Sequence, residues 1–199
     1  MTFKDFNLSK NADGLLPAII QDARTLKVLM LGYMNAEAFE KTVKEGVVTF
    51  YSRSRNMLWT KGETSGNFLR VTEMFPDCDN DTLLVKALPD GPTCHRGTTS
   101  CFDTDDSEGF IRELQDVIRG RHQEMPDNSY TTKLFIKGAK SIGKKVGEEA
   151  AETIIEAVAG NRERFIYESS DLIYHLLVLM EQMGVGLDDV EKELASRHK

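Results

Sequence analysis

The feature that most constrains this chain is a change in hydrophobic period near residue 107. Before it, apolar residues come in short, often alternating runs broken by turn residues, the pattern of strands that bury one face. Leu15 to Gln21, Val28 to Tyr33, Val47 to Tyr51, Phe68 to Phe75 and Thr82 to Leu88 read as strands. Asn35 to Glu45 reads as a helix that Asn35 can cap. After it, Ile111, Leu114 and Ile118 recur at helical spacing, as do Leu134, Ile142, Val146, Ile154 and Val158. Gly160-Asn161 ends one long helix, Arg162 to Met183 forms the next and Leu187 to Ser196 a short last one. Short connections between helices imply antiparallel neighbours. The expectation is two domains, a β-rich α+β domain over 1–106 and an all-α bundle over 107–199. The polar run Phe-Asp-Thr-Asp-Asp-Ser-Glu-Gly after Cys101 joins them.

Charge narrows the partners. The net charge of −7 divides almost evenly, with 12 basic against 15 acidic residues before residue 107 and 13 against 17 after it. Neither half offers the basic stripe that a phosphate backbone requires, so small molecules are expected and nucleic acid is not. The opening Met1-Thr-Phe-Lys-Asp-Phe lacks an apolar leader, and the longest apolar run, Leu176 to Met180, is too short for a bilayer. A soluble cytoplasmic protein with no membrane contact is expected. Three cysteines, Cys78, Cys94 and Cys101, point in a reducing compartment to metal or catalysis rather than to a disulfide frame.

In the helical half, Glu148, Glu149 and Glu152 stand at i, i+1 and i+4, and Glu168 and Asp171 at i and i+3 on the next helix. Residues three or four apart share a helix face. Antiparallel packing about Gly160 brings both sets to a common space, where their repulsion calls for a hard cation such as Mg²⁺. Acids on a solvated face are the simpler alternative. Against it, Ala150, Ala151, Ile154, Ile155, Leu172, Ile173 and Leu176 leave these acids beside what should be buried faces. The run Lys145-Val-Gly-Glu-Glu-Ala-Ala-Glu152 followed by Glu168-Ser-Ser-Asp171 resembles the signature of all-α nucleoside triphosphate pyrophosphohydrolases. Ser129-Tyr-Thr-Thr-Lys-Leu-Phe and the stretch from Gly138 to Lys145 resemble the phosphoribosyl-ATP pyrophosphatase branch of that group. The resemblance implies Mg²⁺ on the five acids and cleavage of the α–β phosphate bond. Lys133, Lys140 and Lys144 are candidate phosphate contacts, with solubilising surface lysines as the alternative.

In the β half, Asp77-Cys-Asp-Asn-Asp81 places carboxylates at alternate positions, which in an extended segment face one way. Asp77, Asp79 and Asp81 would then converge on Mg²⁺ while Cys78 points toward Cys94 and Cys101. Oxygens suit Mg²⁺ and thiolates Zn²⁺. Three thiols leave a tetrahedral zinc one ligand short, which suits a catalytic centre with an open position. Buried reduced cysteines, or a closed site completed by His95, are the alternatives, and the aspartates alone also fit an acidic surface turn.

Phe50-Tyr-Ser-Arg-Ser-Arg-Asn-Met-Leu-Trp-Thr-Lys-Gly-Glu-Thr-Ser-Gly-Asn67, Asp77-Cys-Asp-Asn-Asp81 and Gly91-Pro-Thr-Cys-His-Arg-Gly-Thr-Thr-Ser-Cys-Phe102 together resemble phosphoribosyl-AMP cyclohydrolase. The resemblance implies an intertwined β-rich homodimer. Its zinc is held by Cys78 of one subunit with Cys94 and Cys101 of the other, and its Mg²⁺ by the aspartates. The implied reaction is addition of zinc-activated water at C6 of the adenine ring, followed by opening between N1 and C6. His95 is the candidate base or a fourth zinc ligand. Ser52, Arg53, Ser54 and Arg55, with Lys61, Gly62, Thr64, Ser65 and Gly66, are the candidate cradle for ribose phosphates. Trp59 belongs to the core or stacks on a base.

The two resemblances imply consecutive steps of histidine biosynthesis, the helical half converting phosphoribosyl-ATP to phosphoribosyl-AMP and the β half consuming it. Two other readings fit parts of the sequence. One is a zinc-stabilised binding module on a regulatory bundle; the other is a hydrolase of aberrant nucleoside triphosphates, against which the upstream motifs argue.

Overall fold

The computed structural model describes residues 1–102, 107 and 109–198. The expected linker and the expected boundary fall largely outside the described residues. Contacts divide the chain into two compact units, Met1–Phe110 and Ile111–Lys199.

The first unit is built on a four-stranded sheet. Its strands are β1 (Leu16–Asp22), β2 (Val28–Met34), β5 (Leu69–Pro76) and β6 (Leu83–Pro89), in the order β2-β1-β6-β5. β1 runs antiparallel to β2 and parallel to β6, and β6 antiparallel to β5. The alternation in the sequence becomes one-sided burial: Leu16, Ala18 and Ile20 of β1 and Leu83, Val85 and Ala87 of β6 are fully covered. Helix α1 (Ala36–Glu45) begins where the Asn35 side chain accepts from the Ala38 N–H at 2.8 Å, and ends at Gly46 in the left-handed region. Its Phe39 joins Phe6 and Phe50 in the core. Beside this lies a separate hairpin of β3 (Thr49–Ser52) and β4 (Met57–Thr60). β3 approaches β2 closely at Gly32, where a Cβ would lie 2.2 Å from the Phe50 ring.

The second unit holds helices α2 (Phe110–Glu124), α3 (Tyr130–Ala159), α4 (Arg162–Gln182) and α5 (Leu187–Arg197). α3 and α4 form an antiparallel hairpin closed by left-handed Gly160 and by Asn161, whose side chain accepts from the Arg164 N–H at 3.3 Å. The buried core joins Ile118 of α2 to Leu134, Phe135 and Ile142 in the first part of α3 and Leu177, Val178 and Met180 in the last part of α4. α3 is not continuous: Gly138 has φ 76° and ψ 176°, so the helix stops and restarts there. Among the described residues no helix is long and apolar enough to cross a membrane.

Candidate functional site

The first unit carries a cleft of about 680 Å³, a size typical of small-ligand sites. Cys94, His95 and Cys101 form one wall and Ser52, Ser54, Arg55, Lys61, Gly62, Thr64 and Ser65 line the rest. The β3–β4 hairpin and the turn after it therefore face the two thiols. Trp59 lines the cleft and stacks on Phe50 at 5.8 Å between ring centres, so it serves both the core and the site. Arg53 turns away, its guanidinium 3.7 Å from the centre of the Tyr33 ring, and lines a neighbouring cleft of about 360 Å³. Gly66 lies outside the cleft lining, in a turn at φ 77° that its N–H closes on the Gly62 carbonyl at 2.8 Å.

Cys94 is buried at the start of a tight turn in which its N–H donates to the Thr98 carbonyl at 3.0 Å. The Arg96 backbone N–H and then the Thr98 hydroxyl hold its thiol below the ordinary range, as a thiolate ligand requires. Cys101 is anchored through its N–H to the Leu29 carbonyl at 2.7 Å, and Ser100 through its hydroxyl to the Val28 carbonyl at 2.7 Å. Burial and then the adjacent Cys94 thiol push the Cys101 thiol up. Both cysteines line the cleft, and His95 Nδ1 is 3.8 Å from Cys94 Sγ. Cys78 is exposed and does not line this cleft.

Asp77, Asp79 and Asp81 present carboxylate oxygens within 4.8 Å of one another. They do so in a turn, not in the extended segment expected from their alternate spacing. The Asp77 N–H donates to the Thr82 carbonyl at 3.0 Å, and Asn80 adopts a left-handed φ of 58°. Asp77 Oδ1 accepts from the Asp81 and Thr82 N–H groups at 2.9 and 3.1 Å. It is curvature of the β5–β6 connection that gathers the acids. Lys10 donates to Asp79, and to Asp81 at 2.8 Å; the Lys10 contact holds the Asp81 carboxyl below its usual range. No sequence pattern links Lys10 to this turn.

In the second unit Glu149, Glu168 and Asp171 form the other acidic group, again within 4.8 Å, with Glu149 and Glu168 nearly fully buried. Glu152 borders it: burial, followed by the charges of Glu168 and Glu149, raises its carboxyl. Glu148 lies apart from that group and pairs with Lys145 at 2.9 Å and Lys144 at 3.5 Å, which lower its carboxyl. The apolar neighbours expected to be buried beside these acids are not: Ile154 is 63% and Ile155 62% exposed, Ala151, Ile173 and Leu176 are also open, and Ala150 and Leu172 are only half-buried. The acids themselves fill the seam between α3 and α4, which leaves those side chains on the outer flanks.

Lys144 is 77% exposed at its side chain, and Lys133 and Lys140 are also exposed. The lysine that reaches the buried acids is Lys145, 3.0 Å from Glu149, while Arg164 pairs with Glu168. Behind them lies buried His175. Its Nδ1 is 2.9 Å from the Asp171 carbonyl and 3.8 Å from Glu149, and its Nε2 is 3.1 Å from the Tyr130 hydroxyl. The sequence reading missed Lys145 and His175. The i, i+4 spacing of Lys145 to Glu149 and of Asp171 to His175 was the available signal.

Comparison with known proteins agrees with this two-part geometry. Residues 30–103 match the family model of phosphoribosyl-AMP cyclohydrolase, and residues 111–198 that of phosphoribosyl-ATP pyrophosphohydrolase. The chain is 57% identical to a histidine biosynthesis bifunctional protein HisIE of Bacteroides thetaiotaomicron over 94% of its own length and 93% of the relative's. It is 52% identical to the protein of the same name from Escherichia coli, over 96% and 94% of the two chains. The chain thus belongs to the bifunctional HisIE family of histidine biosynthesis, with a cyclohydrolase domain followed by a pyrophosphohydrolase domain.

Proposed function

We propose that the helical unit hydrolyses phosphoribosyl-ATP to phosphoribosyl-AMP and pyrophosphate, and that the β unit then opens the adenine ring between N1 and C6. The domains are assigned as residues 1–106 and 107–199, and the enzyme is assigned to the cytoplasm, where its three free cysteines remain reduced.

For the first step, the all-oxygen group of Glu149, Glu168 and Asp171, bordered by Glu152 and with Glu148 at its rim, fits Mg²⁺. Magnesium, when bound, neutralises phosphate charge and promotes in-line attack by water. The carboxylates fix where the triphosphate sits, and Lys145 is close enough to move from Glu149 to a phosphate oxygen. Lys133, Lys140 and Lys144, all exposed, serve at most the outer end of the substrate.

For the second step, the observation that carries the reading is that Cys94 and Cys101 both line the cleft while Cys78 stays with the aspartate turn outside it. One subunit thus supplies two soft ligands. A zinc site completed by Cys78 of the partner subunit accounts for the third and makes the homodimer the active form. Zinc, when bound, supplies a Lewis acid that makes water nucleophilic at neutral pH. His95 lines the cleft beside Cys94 and accepts the proton released as water adds at C6, returning it to N1 as the N1–C6 bond breaks. Ser52, Ser54, Arg55, Thr64 and Ser65, with Gly62 giving close backbone approach, hold the ribose phosphates. Arg53 and Gly66 stand at the margin. The Asp77, Asp79 and Asp81 turn fits a second Mg²⁺.

Subunit mixing tests the shared site. Cys78→Ser and Cys94→Ser should each lack ring opening, and the mixture should regain roughly a quarter of wild-type activity, because half of randomly paired dimers carry one intact site. A mixture as inactive as its parents contradicts sharing.

A further inference from the structure

The cleft wall contains a lysine in an unusual setting. Lys61 is only 6% exposed, whereas lysines are almost never buried without a partner, because an unpaired buried charge is costly. Its ammonium has three donors, and its hydrogen bond to protein goes to the Asn67 carbonyl at 3.1 Å. Among the described residues no carboxylate pairs with it. Burial holds its ammonium below the ordinary lysine range, and Cys101 and then Cys94, which line the same cleft, pull in the opposite sense.

The side chain is held in the cleft wall that also carries those two cysteines. Its own N–H donates to the Val48 carbonyl at 2.9 Å, anchoring the turn after β4. Gly62, at φ 100°, packs so closely on the following strand entry that a Cβ would lie 2.6 Å from the Phe68 nitrogen. Asn67, whose backbone carbonyl accepts from the ammonium, donates through its side-chain amide to the Pro92 carbonyl at 3.1 Å, two residues before Cys94. At Gly91 a Cβ would meet Asn67 Oδ1 at 2.6 Å, so this stitch has no slack. A chain of contacts, Lys61 to Asn67 to Pro92, thus fixes the ammonium relative to Cys94. The exposed rim residues Ser54, Arg55, Thr64 and Ser65 are placed differently, where a hydrated phosphate can reach them.

We infer that the Lys61 ammonium is the fixed positive charge that offsets the Cys94–Cys101 pair of the metal centre, and is not one of the contacts to the substrate's phosphates. The inference rests on the zinc reading given above. Three thiolates around Zn²⁺ leave a net negative centre, and a buried cation beside them brings the sum to zero where solvent screens poorly. Lys61 is therefore a positioning residue that acts through the metal ligands.

The test measures zinc affinity, by competition with a chromophoric chelator, in the full-length protein and in Lys61→Met, Lys61→Gln, Lys61→Arg, Arg55→Met and Cys94→Ser. It also measures KM for phosphoribosyl-AMP at saturating zinc. Loss of charge at Lys61 should weaken zinc binding by roughly ten- to a hundredfold, the usual effect of removing an outer partner of a metal ligand. KM should change little, and Lys61→Arg should recover most of the affinity. Arg55→Met should do the reverse, raising KM with zinc affinity unchanged. Thermal unfolding followed by the fluorescence of Trp59, the chain's one tryptophan and in the same unit, reports that each variant is folded, and Lys61→Gln serves if Lys61→Met is not. Wild-type zinc affinity in both neutral variants, with KM raised instead, would return Lys61 to the phosphates and overturn the inference. If Cys94→Ser binds zinc as tightly as wild type, the zinc reading itself fails, and the inference falls with it.

Discussion

His175 Nδ1 lies 2.9 Å from the carbonyl oxygen of Asp171, and because a carbonyl only accepts, that nitrogen carries the proton. Nε2 lies 3.1 Å from the Tyr130 hydroxyl, so a residue at the start of α3 and one on α4 hold a single imidazole orientation against Glu149. Tyr130→Phe should cost about 1 kcal/mol, the worth of one such bond. His175→Ala should cost about 2–4 kcal/mol, since it adds a cavity. Both should slow pyrophosphate release, and denaturant midpoints followed with activity check the pair. Equal stability in all three proteins contradicts this arrangement.

The neighbouring lysines should behave differently although they are adjacent in sequence. Lys145 Nζ is 3.0 Å from buried Glu149, while Lys144 reaches only Glu148 from an exposed position. Removing Lys145 frees the acids of their resident cation, so Lys145→Met should bind Mg²⁺ a few-fold more tightly, on the order of 1 kcal/mol, and turn over more slowly. Lys144→Met should leave magnesium affinity unchanged. Calorimetric titration with Mg²⁺ distinguishes the two, and indistinguishable isotherms go against the assignment.

Gly32 has no room for a side chain. A Cβ there would lie 2.2 Å from the ring of Phe50, which is itself nearly fully buried. Gly32→Ala should destabilise the β unit by about 1–3 kcal/mol through overpacking. Thermal unfolding of that unit provides the measurement, and a neutral result would mean that β2 and β3 pack less closely.

Acidification should weaken one clamp in the helical unit. Arg112 pairs with Asp188 at 2.7 Å and with Glu191, joining α2 to α5, and this contact lowers the Asp188 carboxyl. A carboxyl lowered on folding contributes stability that is present above its unfolded value and lost as pH falls through the folded one. The Asp188 side chain is 70% exposed, so the contribution is below about 1 kcal/mol. Arg112→Ala should therefore cost a small amount of stability near neutrality, and a cost that shrinks toward zero once both carboxylates paired with it are protonated. A cost that does not shrink on acidification would assign Arg112 a packing role instead.

How far the sequence could be read depended on whether periodicity or long-range contact decided each feature. β1 was legible because Leu16, Ala18 and Ile20 alternate with half-buried partners, and α1 because Asn35 announces its cap. β4 was not, since Met57-Leu-Trp-Thr60 has no alternation and pairs only through its hairpin with β3. The break at Gly138 is hidden inside a continuous helical period, where one glycine reads as tolerated. The aspartate motif named the right cluster by the wrong geometry, since its convergence comes from a turn. Lys10 was invisible because it reaches the cluster from a distant part of the chain. The seam of acids between α3 and α4 was legible from spacing, whereas burial of Ile154 and Ile155 was inferred from composition and is not found.

The most direct measurement gives phosphoribosyl-ATP with Mg²⁺ and Zn²⁺ to wild type, Cys94→Ser and Glu149→Gln, following pyrophosphate release and the ultraviolet change of ring opening. Cys94→Ser should release pyrophosphate and stop at phosphoribosyl-AMP, while Glu149→Gln should fail at the first step yet open added phosphoribosyl-AMP. Loss of both activities in either folded variant, or ring opening retained by Cys94→Ser, would contradict two independent sites acting in that order.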